Sequence, residues 1–373
     1  MVGKAGWKEW ADGEAAGIRA AGQWRAPRDL DAAGPEGKLD PDGRPVVSFA
    51  SNDYLGLTQH PAVLAAAHTA IDRWGAGSGS ARLIVGSRPI HSELEHALAE
   101  WKHTDRAVLF PTGFATNLGV ITTFAGAGAF VVSDELNHAS IIDGCRLARA
   151  EVAIARHADA AHVDALLSAS RSDRKIVVTD TVFSMDGDLA PIDDLAEICA
   201  AHDALLVIDE AHAVLGPDPV LEHVEAIRIG TLSKTLGALG GFAAGPAHLC
   251  DLIVNRARSY IFTTASTPAD AAAASAALTV VRSLEGDDLR ARLRGHVERL
   301  RPGHPSPILP VVIGDERATL DAADALLEQG MLVPAIRPPT VAPGTSRLRV
   351  ALSAAHTDEQ VDALGSALAR ITR

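Results

Sequence analysis

Three cysteines in 373 residues are too few, and odd in number, for a disulfide scaffold. Cys145, Cys199 and Cys250 lie far apart inside apolar helical patterns, so they read as buried, reduced thiols, and none has metal-ligand spacing. A basic excess is missing too. The formal charge of −13 excludes a general nucleic-acid or membrane-surface binder, and leaves any anionic substrate to local arginines or helix amino termini. The first residues mix Lys4, Lys8, Asp12 and Glu14 with Trp7 and Trp10 and contain no continuous apolar run. That pattern excludes a secretory signal or a transmembrane span and predicts a cytoplasmic protein. The chain has no internal repeat, and no phosphate loop of the form G-x-x-x-x-G-K-[ST].

What is present is length for one large unit and a smaller one, with apolar residues spread evenly. Met1 to about Arg25 is an amphipathic helical candidate, followed by turn signals at Gly34-Pro35-Glu36-Gly37 and Asp40-Pro41-Asp42-Gly43. Residues 1–45 therefore read as an arm. From Val46 to about Ala265, apolar runs alternate with helical patterns: Ala107 to Phe110, Ala129 to Val132, Val152 to Ala155, Ile176 to Val178, Ala204 to Ile208 and Ile227 to Gly230. Alternation of this kind predicts an α/β unit over 46–268, a mostly parallel sheet with helices on both faces. An alanine-rich helix starts near Pro268. Beyond it, Ile308 to Ile313, a helix from Arg317 to Gln329, Leu332 to Ile336, Arg347 to Leu352 and a helix from Thr357 to Ile371 predict a smaller α+β unit over 269–373.

The chemistry concentrates between Asp209-Glu210-Ala211-His212 and Ser233-Lys234-Thr235. Ala204 to Ile208 reads as a buried strand, so Asp209 stands at its carboxyl end, where open α/β sheets bind ligands, and the Ile227 to Gly230 strand brings Lys234 to the same edge. A lysine there can form a Schiff base with an aldehyde cofactor, and a buried aspartate near a pyridine nitrogen keeps that nitrogen protonated. Alone, such an aspartate is more often a cap or ion-pair partner and such a lysine is usually a solvated side chain. The Asp-Glu-Ala-His letters also occur in helicase-type NTPases, but Lys234-Thr235 follows Ser233 and lies downstream of the acidic motif, so that reading fails.

Three further motifs each follow a predicted strand. Thr112-Gly113-Phe114-Ala115-Thr116-Asn117 opens a helix whose free amides suit a phosphate. Ser133-Asp134-Glu135-Leu136-Asn137-His138-Ala139-Ser140 puts an imidazole at the same edge, and Val182 to Asp188 puts Ser184 there. Singly they read as a helix cap, a helix-start residue and a polar turn. Their convergence on one sheet edge makes a common site.

With Ser51-Asn52-Asp53-Tyr54-Leu55-Gly56-Leu57 and Gly75-Ala76-Gly77-Ser78-Gly79-Ser80-Ala81-Arg82, these motifs resemble the α-oxoamine synthases from about Val46 to the carboxyl terminus. That family has the fold-type I architecture of pyridoxal phosphate-dependent transferases and condenses an amino acid with an acyl-CoA, losing carbon dioxide. The resemblance implies the cofactor pyridoxal 5'-phosphate and four catalytic residues: Lys234 as cofactor anchor and general base, Asp209 on the pyridine nitrogen, His212 on the phenolic oxygen and His138 on the ring face. It further implies Gly113, Phe114, Ser184 and Thr231 as cofactor contacts, and Thr263 and Thr264 at the phosphate of the neighbouring subunit in a homodimer with shared sites. Asn52, Thr340, Arg349 and Arg25 are implied as substrate contacts, with Arg28 competing for the role of Arg25. Ile336-Arg337-Pro338-Pro339-Thr340 followed by Gly344 to Arg349 most resembles the branch joining L-alanine to a pimeloyl thioester, on CoA or a carrier protein, in biotin synthesis. Other readings are a member using glycine or serine with another acyl-CoA, or a non-catalytic subunit of the same fold. The chain departs from the family at Ala213, in place of glycine, at Ala342-Pro343, which are interchanged, and in a short Gly216 to Ile227 segment. A positive φ at Ala213 would cost on the order of 1 kcal/mol.

Overall fold

The computed structural model describes residues 6–216 and 218–371. Seven strands form the central sheet, in the order Arg106–Phe110, Gly241–Gly245, Ala226–Thr231, Ala204–Asp209, Arg174–Asp180, Ala129–Asp134 and Glu151–Ala155. Only Gly241–Gly245 runs against its neighbours; the pairings among the next five strands are parallel. The inner strands are apolar on both faces because helices cover both. Leu206, Val207 and Ile208 are all at or below 1% exposure, each side chain contributing about 1.5–3 kcal/mol by burial.

Every strand predicted in the large unit is present, usually a residue or two longer. Gly241–Gly245 has no counterpart among the predictions, since Gly-Phe-Ala-Ala-Gly carries no β-branched residue. Its small residues serve close packing: a Cβ on Gly241 would stand 2.6 Å from Gly113 N and 2.5 Å from Thr116 Oγ1. Phe242 in turn needs the bare Gly230 across the ladder, where a Cβ would come within 2.4 Å of its ring.

The amino-terminal helix is Trp7–Ala20, with no buried residue; residues 1–5 of the predicted Met1 to Arg25 helix lie outside the described residues. After it the chain forms strands Leu30–Ala32, Glu36–Leu39 and Arg44–Ser48, which make a four-stranded sheet with Met331–Leu332. The predicted Leu332 to Ile336 strand is two short strands. Pro334, which has no N–H for a ladder, separates Met331–Leu332, parallel to Arg44–Ser48, from Ala335–Ile336, antiparallel to Ser346–Ala351.

A third sheet, Ile308–Gly314, Ser346–Ala351 and Ala335–Ile336, fixes the carboxyl-terminal arginines. Strand alternation sends Leu348 and Val350, both 0% exposed, into the core and Arg347 and Arg349 to the opposite face. Helix Pro268–Val281, capped by Thr267 on Asp270 N, packs against helices Pro61–Trp74 and Pro89–Trp101 through alanines. The Asn52–Tyr54 loop is pinned from the carboxyl-terminal part: Ser353 Oγ donates to Asp53 O at 2.6 Å and Ala354 N to Tyr54 O at 2.8 Å.

The three cysteines are free and buried within helices Ala139–Leu147, Ile192–Ala201 and Ala247–Arg256. Burial pushes the Cys199 and Cys250 thiols up to about 12. Among the described residues no helix is long and apolar enough to cross a membrane.

Candidate active site

Asp209 and Asp180 are register partners at the ends of adjacent strands, and His138, Gly113 and Thr231 follow or end three more. The site therefore lies at the carboxyl edge of the parallel strands. Lys234 sits in the tight connection between Ala226–Thr231 and Gly241–Gly245, closed by Leu232 N to Gly240 O at 2.9 Å and Gly237 N to Lys234 O at 3.0 Å. Gly237 has φ +59 and backs onto Thr58 N, 2.6 Å from where a Cβ would stand.

One chain of polar contacts runs from Lys234 to Arg349. Lys234 Nζ is 2.8 Å from His212 Nε2, and His212 Nδ1 is 2.6 Å from Tyr54 Oη. Tyr54 Oη donates to Asn52 Oδ1 at 3.1 Å, and the same oxygen accepts from Arg349 Nη2 at 3.2 Å. Arg349 Nε donates to Ser184 O at 2.5 Å, so the guanidinium plane is fixed. Burial pushes the Lys234 pKa down, against the pull of Asp209 and Asp180. Burial and the Lys234 charge hold His212 well below the usual imidazole range, so this ring is neutral. Desolvation raises the Tyr54 hydroxyl to about 12, against Arg349, keeping it a phenol.

A second chain joins Asp209 to His138. Asn117 Nδ2 donates to Asp209 Oδ2 at 2.6 Å and to Ser140 Oγ at 3.0 Å, and Ser140 Oγ lies 2.7 Å from His138 Nδ1. Ser140 N also donates to His138 Nδ1 at 3.2 Å, which makes Nδ1 an acceptor and leaves the proton of the neutral ring on Nε2. Partial desolvation lowers the His138 pKa, Asp209 opposes the shift and Lys234 adds to it. Asp180 accepts from His138 N at 2.7 Å; burial and then the Asp209 charge raise its pKa well above the ordinary value.

Glu210 faces away from this chemistry. It is buried against Lys102 Nζ at 2.9 Å and Arg228 Nη2 at 2.5 Å, and Arg228 also pairs with Asp218. Ala213 is not among the non-glycine residues with positive φ, and its amide reaches Glu210 O at 3.1 Å, so the strain expected there is absent. The Gly216 to Ile227 segment, of which Pro217 lies outside the described residues, contributes Asp218 to that ion cluster. A cavity of about 1040 Å³ lined by Arg174, Ala204 and Ala226 opens at the opposite, amino-terminal edge of the strands.

At the helix start expected to take a phosphate, Thr112 caps helix Gly113–Phe124 through Ala115 N, and the first-turn amides of Gly113 and Phe114 have no intrahelical partner. Thr231 is adjacent: a Cβ on Gly113 would be 3.5 Å from Thr231 Oγ1. That hydroxyl donates to Gly240 O at 3.0 Å, so it must rotate to serve a phosphate. Thr263 and Thr264 make no hydrogen bond to the cluster among the described residues; they precede Ala265, which donates to Ser80 O at 3.0 Å. Arg25 and Arg28 are exposed on the arm, and Thr340 is exposed in a turn, its amide donating to Arg337 O at 3.0 Å.

Tyr54, Asn117, Ser140 and Asp180 belong to the site without having been singled out as site residues in the sequence. Each lies within or beside a recognised motif. Asp180 had a further signal, a carboxylate ending a predicted strand as Asp209 does.

The family of class I and II aminotransferases matches residues 44–368. The chain is 47% identical over 348 residues to 8-amino-7-oxononanoate synthase of Methylococcus capsulatus, covering 88% of this chain and 89% of that protein. Among solved structures, Sphingomonas wittichii serine palmitoyltransferase superposes with a TM-score of 0.91 at 30% identity, over 99% of this chain and 98% of that one. An SPT variant solved with PLP gives 0.92 at 28% identity, over 99% of each chain. With its strand-end lysine, aspartate and histidines in place, the chain belongs to the class I and II aminotransferase family and groups within it with the 8-amino-7-oxononanoate synthases.

Proposed function

We propose that this chain condenses L-alanine with a pimeloyl thioester, pimeloyl-CoA or a pimeloyl carrier protein. Carbon dioxide and the free thiol are released and 8-amino-7-oxononanoate is formed for biotin synthesis. The observation that carries this reading is Lys234 Nζ at 2.8 Å from a neutral His212, in a buried cluster holding Asp209 and, through Tyr54 and Asn52, Arg349. The proposed setting is a cytoplasmic homodimer with shared sites, each chain comprising an arm (1–45), a large cofactor-binding unit (46–268) and a small unit (269–373).

The residues fit pyridoxal phosphate. Asp209 is 6% exposed, and its neighbour Asn117 keeps a buried Oδ1 without a partner. The helix amides of Gly113 and Phe114 offer an anion two uncommitted donors, and glycine leaves the approach open. Lys234 would hold the cofactor's aldehyde carbon, Asp209 its pyridine nitrogen, His212 its phenolic oxygen and His138 its ring face, with Ser184 nearby. Gly113, Phe114 and Thr231 would hold the phosphate, joined by Thr263 and Thr264 of a second copy. When bound, the cofactor supplies an electron sink for negative charge at the amino acid α-carbon.

The chain's own groups do the rest. Arg349, with Asn52 beside it, grips the alanine carboxylate, and Thr340 and Arg25 or Arg28 meet the acyl donor. Lys234 Nζ takes the α-proton, and its lowered pKa favours the neutral amine that this requires. His212, neutral and bonded to Tyr54, keeps a hydrogen bond at that amine without adding positive charge. His138 offers Nε2–H to the thioester carbonyl, because its Nδ1 is occupied by Ser140.

The purified protein is expected to be yellow, to change its visible absorbance with L-alanine, and to lose the covalent adduct in Lys234→Ala. A thiol-release assay then compares L-alanine, glycine and L-serine with pimeloyl-CoA and shorter donors. A protein that is colourless and cannot be reconstituted sinks the cofactor assignment; glycine with a short donor outrunning alanine with pimeloyl-CoA sinks the substrate assignment.

A further inference from the structure

Asp134 ends the strand leading to His138, and Asp188 closes the loop that carries Ser184 and Asp186. Between them stands His157, just past strand Glu151–Ala155, with Nδ1 3.0 Å from Asp134 Oδ1 and Nε2 2.7 Å from Asp188 Oδ2. Its ring meets Phe183 edge-on, with centroids 4.3 Å apart. An ionised carboxylate only accepts hydrogen bonds. A neutral imidazole between two of them turns one lone pair against an oxygen, so both contacts are hydrogen bonds only when both ring nitrogens carry protons.

The two carboxylates are not equally supported. Asp134 also accepts from Leu136 N and Ala158 N, both at 2.8 Å. Asp188 Oδ1 is buried without a partner, and His157 is the one hydrogen-bond donor to the Asp188 side chain among the described residues. The Asp188 loop matters because Arg349 Nε donates to Ser184 O at 2.5 Å and Arg347 pairs with Asp186. Ser306 Oγ holds Gly187 O at 2.7 Å, so the loop keeps its fold if the bridge opens and only its setting against Arg349 changes.

We infer that His157, as an imidazolium bridging Asp134 and Asp188, is a positioning residue for the amino acid carboxylate, acting through the Ser184 loop on Arg349. The inference rests on Arg349 being the carboxylate-binding group of the proposed function. Burial works against the charge on His157, but the bonds and charges of Asp188 and Asp134 outweigh it and its pKa is raised. Other charged groups around it are Glu135, whose Oε1 accepts His157 N at 2.9 Å, and Arg156, paired with Asp159 at 2.6 Å. His304, beyond Gly187, bonds Ile308 O at 2.7 Å and also feels Asp188. Because the folded-state pKa is raised, the bridge is complete below the ordinary value of 6.5 and is lost as pH rises through the raised one.

The test uses cofactor-loaded wild type, His157→Phe and Asp188→Asn, with L-alanine KM and kcat measured across pH. A proton NMR titration of His157, assigned by its loss in His157→Phe, is recorded with and without cofactor. The expected result is a His157 titration above 6.5 in both forms. At neutral pH, His157→Phe should raise the alanine KM about tenfold, the scale of one charge-assisted hydrogen bond, with kcat within about twofold of wild type. The alkaline rise in KM shown by wild type should vanish in His157→Phe and move to lower pH in Asp188→Asn, which removes one of the raising carboxylates. A titration at or below 6.5 overturns the bridge. A high titration with an unchanged alanine KM overturns the positioning role. A protein that titrates as expected but never turns over alanine overturns the functional assignment, and the substrate role of His157 with it, while the bridge stands.

Discussion

Replacing Tyr54 by phenylalanine removes one oxygen from the centre of the site and leaves the ring packing intact. Tyr54 is 0% exposed, and its hydroxyl serves both His212 Nδ1, at 2.6 Å, and Asn52 Oδ1, at 3.1 Å. Asn52 Oδ1 keeps Arg349 as a donor, so the Arg349 end of the chain of contacts survives. His212 Nδ1 is left buried without a partner, and an orphaned buried polar group costs about 1–3 kcal/mol. At about 1.4 kcal/mol per tenfold in rate, a cost borne only when His212 must hold its tautomer beside Lys234 lowers kcat by roughly tenfold to a hundredfold. A cost already borne by the resting folded state would instead lower the melting temperature, by less than about 2–4 °C per kcal/mol, the range for domains smaller than this chain. Steady-state kinetics with L-alanine, read beside a thermal melt, separate the two effects. Wild-type kcat with an unchanged pH profile in Tyr54→Phe would refute the claim that His212 is held by Tyr54.

Asp180→Asn is expected to stabilise the protein in a pH-dependent way. Asp180 has a raised pKa, so between 3.8 and the raised value the folded state keeps a proton that the unfolded chain has released, and stability falls as pH rises. The asparagine oxygen can still accept from His138 N; paired denaturant titrations should coincide below about 3.8 and separate in favour of the variant above it. Gly241→Ala should destabilise by about 1–3 kcal/mol, because its Cβ would press on Gly113 N at 2.6 Å and on Thr116 Oγ1 at 2.5 Å. It should also weaken cofactor retention, measured as the phosphate-dependent return of visible absorbance after dialysis. Full retention would show that the Gly113 turn does not seat the phosphate.

The large sheet was legible because its strands are short, mostly apolar and separated by helical patterns, and burial of the inner strands on both faces demands such runs. Gly241–Gly245 was not, since its sequence answers to packing against Gly113, Thr116 and Gly230, neighbours that only the fold supplies. The strands at Leu30–Ala32, Glu36–Leu39 and Arg44–Ser48 escaped for a related reason: they are short and polar, and the sheet is completed by Met331–Leu332 from the far end of the chain. Lys234, Asp209, His212, His138 and Arg349 were all named from their motifs. Tyr54 and Asn117 were not, because a phenol or an amide acquires a function only from what it touches.

The sequence by itself determined the chemistry available at each strand end, since residue type and strand position travel together along the chain. It could not state that His212 leans on Tyr54, that Asn117 joins Asp209 to Ser140, or that Glu210, next to Asp209, is spent on Lys102 and Arg228. Those links span from 18 to 158 positions. Hydrogen bonds and desolvation act over a few ångströms of space, so the tertiary structure alone decided which groups are neutral, which are paired and which face the substrate.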